Sequence, residues 1–341
     1  MTHPAAAARS GRRPWRTLLR VAFAVLSIGG LTAATVSQWP HVTDTIDAVS
    51  WPALTTAFLA TFAGVFCAIL SWRAVLADLG SPLRVRYAVG IVGVGQLGKY
   101  LPGSLWPVVA QMELGREHDV PRKRSAVASL LVIVVALTAG GLLAAATLPF
   151  AARGSLGPYR LVFLVPAAGL VLLHPRVFNA AAARGLRLLK RAPLEQGLST
   201  RGTAAALGWA LAQWVCWGLA VWLLGRGLPE AHGPLLAVSL GAYALAWSAG
   251  FLFLVAPAGA GVREGALVLL LAPSLGAAEA LGVALLVRLL TTVADVVWGA
   301  VAFAEGGGRW ARGRAAGRAE RDVTVVTGGT AGQDVRRPRR R

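Results

Sequence analysis

Apolar residues in this chain run in long blocks, not in the alternation of a half-buried strand. Blocks at 17–37, 53–77, 125–148, 160–174, 203–224, 235–256 and 278–303 are mostly near the length of about 20 residues that a helix needs to span a bilayer. Two further blocks, 87–110 and 257–275, are also apolar but are broken by Gly, Pro and charged residues. The pattern predicts an all-α, polytopic membrane helix bundle with about eight crossings. It divides the chain into a basic N-terminus over 1–14, a transmembrane domain over 15–304 and a basic tail over 305–341. The tail is too poor in apolar residues to bury a core and is expected to be disordered.

Composition agrees with a membrane protein. Hydrophobic residues make up 56% of the chain, charged residues only 14%, and mean hydropathy is +0.61. The net charge of +19 comes largely from arginine, 31 of the 34 basic residues. These lie between and beyond the apolar blocks with no base-reading motif, which points to an anionic membrane face and away from nucleic acid. Cys67 and Cys216 each sit inside an apolar block, so neither a disulfide framework nor a cysteine metal site is expected.

Loop charges orient the blocks. Basic residues crowd the N-terminus and the segments 78–86, 113–124 and 175–202, whereas 38–52 and 274–279 have none and 149–159 and 225–234 have one each. The crowded set is expected to be cytoplasmic, in a cell membrane, together with the tail and its ten arginines. Both flanks of 87–110 are basic, so this segment is expected to enter and leave on one side. An even number of crossings then requires 257–275 to cross. The first block follows Arg9, Arg12, Arg13 and Arg16, and it reads as an uncleaved span more readily than as a signal peptide. The 175–202 segment spaces its apolar residues at roughly helical intervals among arginines, as an interfacial helix or a basic linker would.

The stretch GQLGKYLPGSLWP, 95–107, breaks the first interrupted block. Pro102 has no amide proton, and with Gly103 it ends a helix. Such a break is tolerated only against protein or a wet cavity. The apolar part before it would be a half-helix of about 18 Å, followed by a turn and a return. Lys99 then sits at depth in the membrane, where a polar cavity would offset its cost. Gly93, Gly95 and Gly98 match GxGxxG, and Gly98-Lys99 matches most of a phosphate-binding loop. Both motifs need a preceding strand, and Tyr100 stands where Ser or Thr should hold magnesium, so no nucleotide site is expected.

The second interrupted block, VAPAGAGVREGALVLLLAPSLG, is broken by Pro257, Gly259 and Gly261, and Arg263 and Glu264 open the helix that follows. A helix N-terminus attracts anions, and Arg263 adds a charge whose fork fits phosphate. The bland alternative is an Arg263–Glu264 pair that joins two helices. The last block carries Arg288 and Asp295 two turns apart on one face, with Thr291 and Thr292 between. Arg288 could pair with Glu264, and Asp295 with Arg263 or Lys99. Two Gly/Pro-broken segments, one in each half, point to a transporter binding site and to an internal repeat. The five histidines are scattered, and HExxH, GxSxG and a clustered carboxylate pair are all missing, so no catalytic residue, metal or cofactor is expected.

The GQLGKYLPGSLWPVVAQ and PAGAGVREGALVLLL stretches, with Arg288 in the span that follows, resemble the lysylphosphatidylglycerol synthase/flippase transmembrane-domain family over most of residues 15–304. The resemblance implies a bundle that moves or handles anionic or isoprenoid-linked lipids. It points to Lys99, Pro102, Gly103, Gly261, Arg263, Glu264 and Arg288. Synthases of the family carry a soluble aminoacyl-transferase domain after this region, and here a 37-residue tail follows, so aminoacyl transfer is not expected of these residues. The leading expectation is a lipid flippase or transporter. Lys99, Arg263 and Arg288 would bind its substrate's headgroup, with Glu264 or Asp295 in charge pairing or coupling. The alternatives are a non-transporting membrane partner of a lipid-modifying synthase or glycosyltransferase, and a membrane-embedded enzyme.

Overall fold

A computed structural model of the chain describes residues 39–100, 106–150, 164–253 and 259–328. These form eleven helices and, among the described residues, no strand. They are α1 (Trp39–Ala48), α2 (Trp51–Asp78), α3 (Val85–Leu97), α4 (Trp106–Arg116), α5 (Arg122–Thr147), α6 (Leu164–Leu173), α7 (Pro175–Leu188), α8 (Thr200–Gly225), α9 (Leu235–Leu252), α10 (Val262–Leu275) and α11 (Ala277–Gly328). Five are long and apolar enough to cross a membrane: α2, α5, α8, α9 and the first part of α11. The block at 17–37 and the breaks at Pro102, Gly103 and Pro257 lie outside the described residues. Ala, Arg and Glu favour helix, and the backbone of α11 stays helical past Ala304, into the tail for which the sequence predicts disorder.

At the centre, α2 and α8 pack antiparallel. Trp217 Nε1 donates to the Thr61 carbonyl at 3.1 Å, Ser71 Oγ to the Ala206 carbonyl at 2.9 Å, and the Ser199 amide and hydroxyl to Asp78 at 2.6 and 2.7 Å. Ser199 also caps α8, accepting the Gly202 amide at 3.0 Å. This removes one of the orphan donors of the helix start. Trp72 and Trp214 are fully buried nearby.

Around this pair the two halves repeat one order: a long helix, two helices joined as a hairpin, and a long helix. The packing repeats too. Helix α3 lies on α11 as α9 lies on α5, and α8 meets α5 as α2 meets α11. Exchanging the halves maps each contact onto its counterpart. Because α2 and α8 are themselves antiparallel, the two repeats run in opposite directions.

The basic loops gather at one end of the bundle. Arg124 donates to the Gly80 carbonyl at 2.7 Å and pairs with Glu195 at 2.7 Å, and Lys123 reaches the Pro193 carbonyl. The α3–α4 hairpin opens at this end, where Tyr87 stacks on His118 with centroids 4.3 Å apart. Its helices of 13 and 11 residues are about 20 and 16 Å long, too short to cross a core of about 30 Å. Helix α7 leaves the same end, with Asn179 exchanging two hydrogen bonds with Leu198.

The α9–α10 hairpin opens at the other end. The His232 amide donates to the Ser274 carbonyl at 3.1 Å, so the start of α9 and the end of α10 lie together. Helix α10 has 14 residues, about 21 Å, again less than the core thickness. Helix α9 is long enough to span, but α10 returns to the end where α9 begins. The described part of 257–275 therefore does not make the separate crossing that the sequence predicts, and the two hairpins open at opposite ends.

Candidate functional site

Described residues that flank the two hairpin turns line one cavity of about 220 Å³. Lys99, in the 3-10 turn that ends α3, and Arg263, in the first turn of α10, both line it. Arg288 and Asp295 reach it from one face of α11.

Helix α11 takes a cation from one hairpin and an anion from the other. The Lys99 ammonium lies 2.6 Å from Asp295 Oδ2, and the Tyr100 hydroxyl donates to that same oxygen at 2.7 Å. Asp295 is 2% exposed, so its charge is held by these two partners and not by water. Glu264 uses both oxygens. One pairs with the Arg288 guanidinium, and the other accepts the Gly261 amide at 2.6 Å. Gly261 stands at φ +82°, a conformation that glycine enters without a Cβ clash, and this lets the chain turn into α10. Thr291 and Thr292, also on the cavity wall, bond back to the Arg288 carbonyl at 2.8 and 2.9 Å.

Arg263 differs from the other two cations. Its guanidinium lies over the Tyr243 ring, 4.8 Å from the centroid, and donates to the Tyr243 hydroxyl. Among the described residues it has no carboxylate partner. Three cations thus face two carboxylates that are already engaged, and the cavity keeps a positive charge at Arg263.

The sequence-predicted residues Lys99, Gly259, Arg263, Glu264, Arg288 and Asp295 therefore gather at one place, with Gly261 capping the helix beneath. The pairings left open by the sequence resolve as Arg288 with Glu264 and Lys99 with Asp295. The Arg263–Glu264 pair does not form, because successive residues at a helix start point in different directions.

Sequence reasoning passed over Tyr243, which carries Arg263, and gave Tyr100 no role at the site. It also passed over a polar shelf on the cavity wall formed by Gln111, Ser129 and Gln213. A glutamine inside an apolar block, as at 213, is the signal that would have found the shelf. Among the described residues no three His, Cys, Asp or Glu side chains converge as metal ligands would.

At the mouth of the first hairpin, Arg122 donates to Glu113 at 2.7 Å and holds that exposed carboxyl below the ordinary glutamate range. This pair stands apart from the cavity.

The family model described as the lysylphosphatidylglycerol synthase TM region matches residues 17–299. No curated protein matches the chain.

Proposed function

The chain belongs to the lysylphosphatidylglycerol synthase transmembrane family, a multi-pass membrane protein that handles lipid, and on that premise we propose that it is a lipid flippase. Its substrate is an anionic phospholipid or an isoprenoid-linked glycolipid. The acidic head enters the cavity between the hairpin tips while the tails stay in hydrocarbon. The observation that carries this reading is Arg263, a cation in the cavity with no carboxylate partner among the described residues. A buried charge is costly unless it is paired, and a phosphate in the cavity would supply the missing partner.

The inverted repeat supports movement between leaflets. One hairpin opens toward the basic end and the other away from it, so small shifts of either would expose the same site to either face. By the charge rule the basic end is cytoplasmic, and both termini lie in the cytoplasm of a cell-membrane protein. Helix α7 and the basic tail are where a lipid- or polysaccharide-modifying partner would attach.

The test is reconstitution of the purified chain into liposomes with a fluorescent anionic lipid, following exposure of the label to an impermeant quencher. Arg263→Ala should slow headgroup movement at least tenfold, the order of a lost charge-assisted hydrogen bond. Equal rates for the variant and the wild type would sink the proposal. Deletion of 305–341 should leave the rate largely intact, whereas a recruitment role would need that tail.

A further inference from the structure

Helix α7 carries a surface that the cavity does not use. By sequence, 175–202 reads as an interfacial helix or a basic linker, and residues Pro175–Leu188 are helical. Only His174 separates α7 from α6, and Pro175 opens it at a position where a missing amide proton costs nothing. One face of α7 is seated. Leu186 is buried, Phe178 packs on the core, and Asn179 holds Leu198 by two hydrogen bonds of 2.8 and 3.0 Å. Leu198 immediately precedes Ser199, the cap of α8, so α7 is tied to the basic end of the bundle and does not swing as a linker would.

The opposite face is open. Val177, Ala181 and Leu188 recur at i, i+4 and i+11, so they form one strip, and Leu189 extends it. Leu188 is 79% exposed and Leu189 is 73% exposed. Arg184 lies on the edge of this strip, and Lys190 and Arg191 stand just beyond its end. Arg176 and Arg187 share the next face round. All five cations are exposed, and among the described residues none has a carboxylate partner. The stretch 164–194 contains no Asp or Glu.

That combination selects its occupant. Cations without acids match an anionic surface, and exposed leucines among them match hydrocarbon. A water-soluble acidic partner satisfies the charges alone, whereas acidic lipid supplies both. Exposed Leu170, Val171 and Leu172 at the end of α6 run into α7 across His174, so the lipid-facing side of the bundle continues onto this helix. We infer that α7 lies on the bilayer surface and docks acidic headgroups of the cytoplasmic leaflet, a lipid contact separate from the central cavity. Arg184, Lys190 and Arg191 hold phosphates there, and Val177, Leu188 and Leu189 enter the acyl boundary. Arg176 and Arg187 stay open to a partner. The contact needs no transport, so it stands or falls apart from the flippase reading.

The test places a nitroxide at position 188 through Leu188→Cys, in the full chain with Cys67→Ala and Cys216→Ala. It reads the label's accessibility to oxygen against a water-soluble nickel chelate. The chain is reconstituted in phosphatidylcholine vesicles with and without phosphatidylglycerol. In the mixed vesicles the label should favour oxygen, as in hydrocarbon, while a label carried by Arg187→Cys should favour nickel. Each cation near an acidic surface is worth about fivefold, so Arg184→Gln, Lys190→Gln and Arg191→Gln together should lower the immersed-to-exposed ratio at 188 about a hundredfold. Where Leu188→Cys does not yield folded protein, Val177→Cys makes the same test. A label at 188 that favours nickel in the mixed vesicles overturns the inference. So does immersion that is equal without phosphatidylglycerol or that survives the triple change, since apolar contact alone would then hold the strip. Protection at 188 in native membranes but not in the mixed vesicles would assign the face to a protein partner and overturn it as well.

Discussion

The α3–α4 and α9–α10 hairpins occupy matching places in the two halves, yet they treat their cations in opposite ways. Lys99 at the first tip is neutralised by Asp295, with Tyr100 on the same oxygen. Arg263 at the second tip rests on Tyr243 without a carboxylate, while the neighbouring Glu264 reaches away to Arg288. One hairpin is thus fastened to α11 through its own cation. The other is fastened through its anion, and its cation stays open to the cavity. A repeated architecture places two positive groups together, and the local pairing decides which of them keeps a carboxylate partner.

Removing the anion that fastens the second hairpin should do the most damage. Glu264→Ala leaves Arg288 in the bundle without its counterion and strips the cap from Gly261. The expected loss is about 3–5 kcal/mol of stability, the usual cost of orphaning one partner of a buried pair. Thermal unfolding in detergent measures it. Asp295→Asn should cost less, because Lys99 is one-third exposed and can turn toward water in the cavity. An equal cost for the two variants would mean that the fastenings are equivalent.

A smaller effect tests the backbone at the two tips. Gly259 has φ +69°, and a Cβ there would stand 2.8 Å from the Gly250 Cα. Gly98 has an ordinary helical φ of −63°, and its Cβ would stand 3.1 Å from the Pro107 nitrogen. Gly259→Ala should therefore lose about 1–3 kcal/mol through strain and collision. Gly98→Ala should lose less than about 1 kcal/mol, since its helix propensity gain offsets part of the crowding. The same unfolding assay ranks them, and a reversed order would show that the first tip is the tighter one.

The smallest effect is at the mouth of the first hairpin. The Glu113 carboxyl is held below its ordinary value by Arg122, so its contribution is fully present above the ordinary glutamate pKa and fades as pH falls through the lower folded value. Glu113→Gln should leave the unfolding midpoint almost unchanged at neutral pH, because the pair is exposed. The remaining difference should vanish on acidification below about pH 4. A difference that grew with acid would contradict the assigned pairing.

Block length and apolar content determined that this is a helical membrane protein, because a chain without water must satisfy its backbone within each segment. Gly/Pro breaks in two apolar blocks also marked the segments whose flanks line the cavity, since an interrupted helix survives in a bilayer only beside protein or water. The charged residues at those breaks were legible for the same reason. Their partners were not. Asp295 had two candidate bases, Arg263 and Lys99, on other segments of the chain, and only the antiparallel packing of α3 on α11 brings Lys99 to it. Gln111, Ser129 and Gln213 come from three helices, and no spacing along the chain connects them. Their shared cavity exists because the two hairpins stop short of the opposite end of the bundle, a property of tertiary packing that one-dimensional hydropathy does not contain.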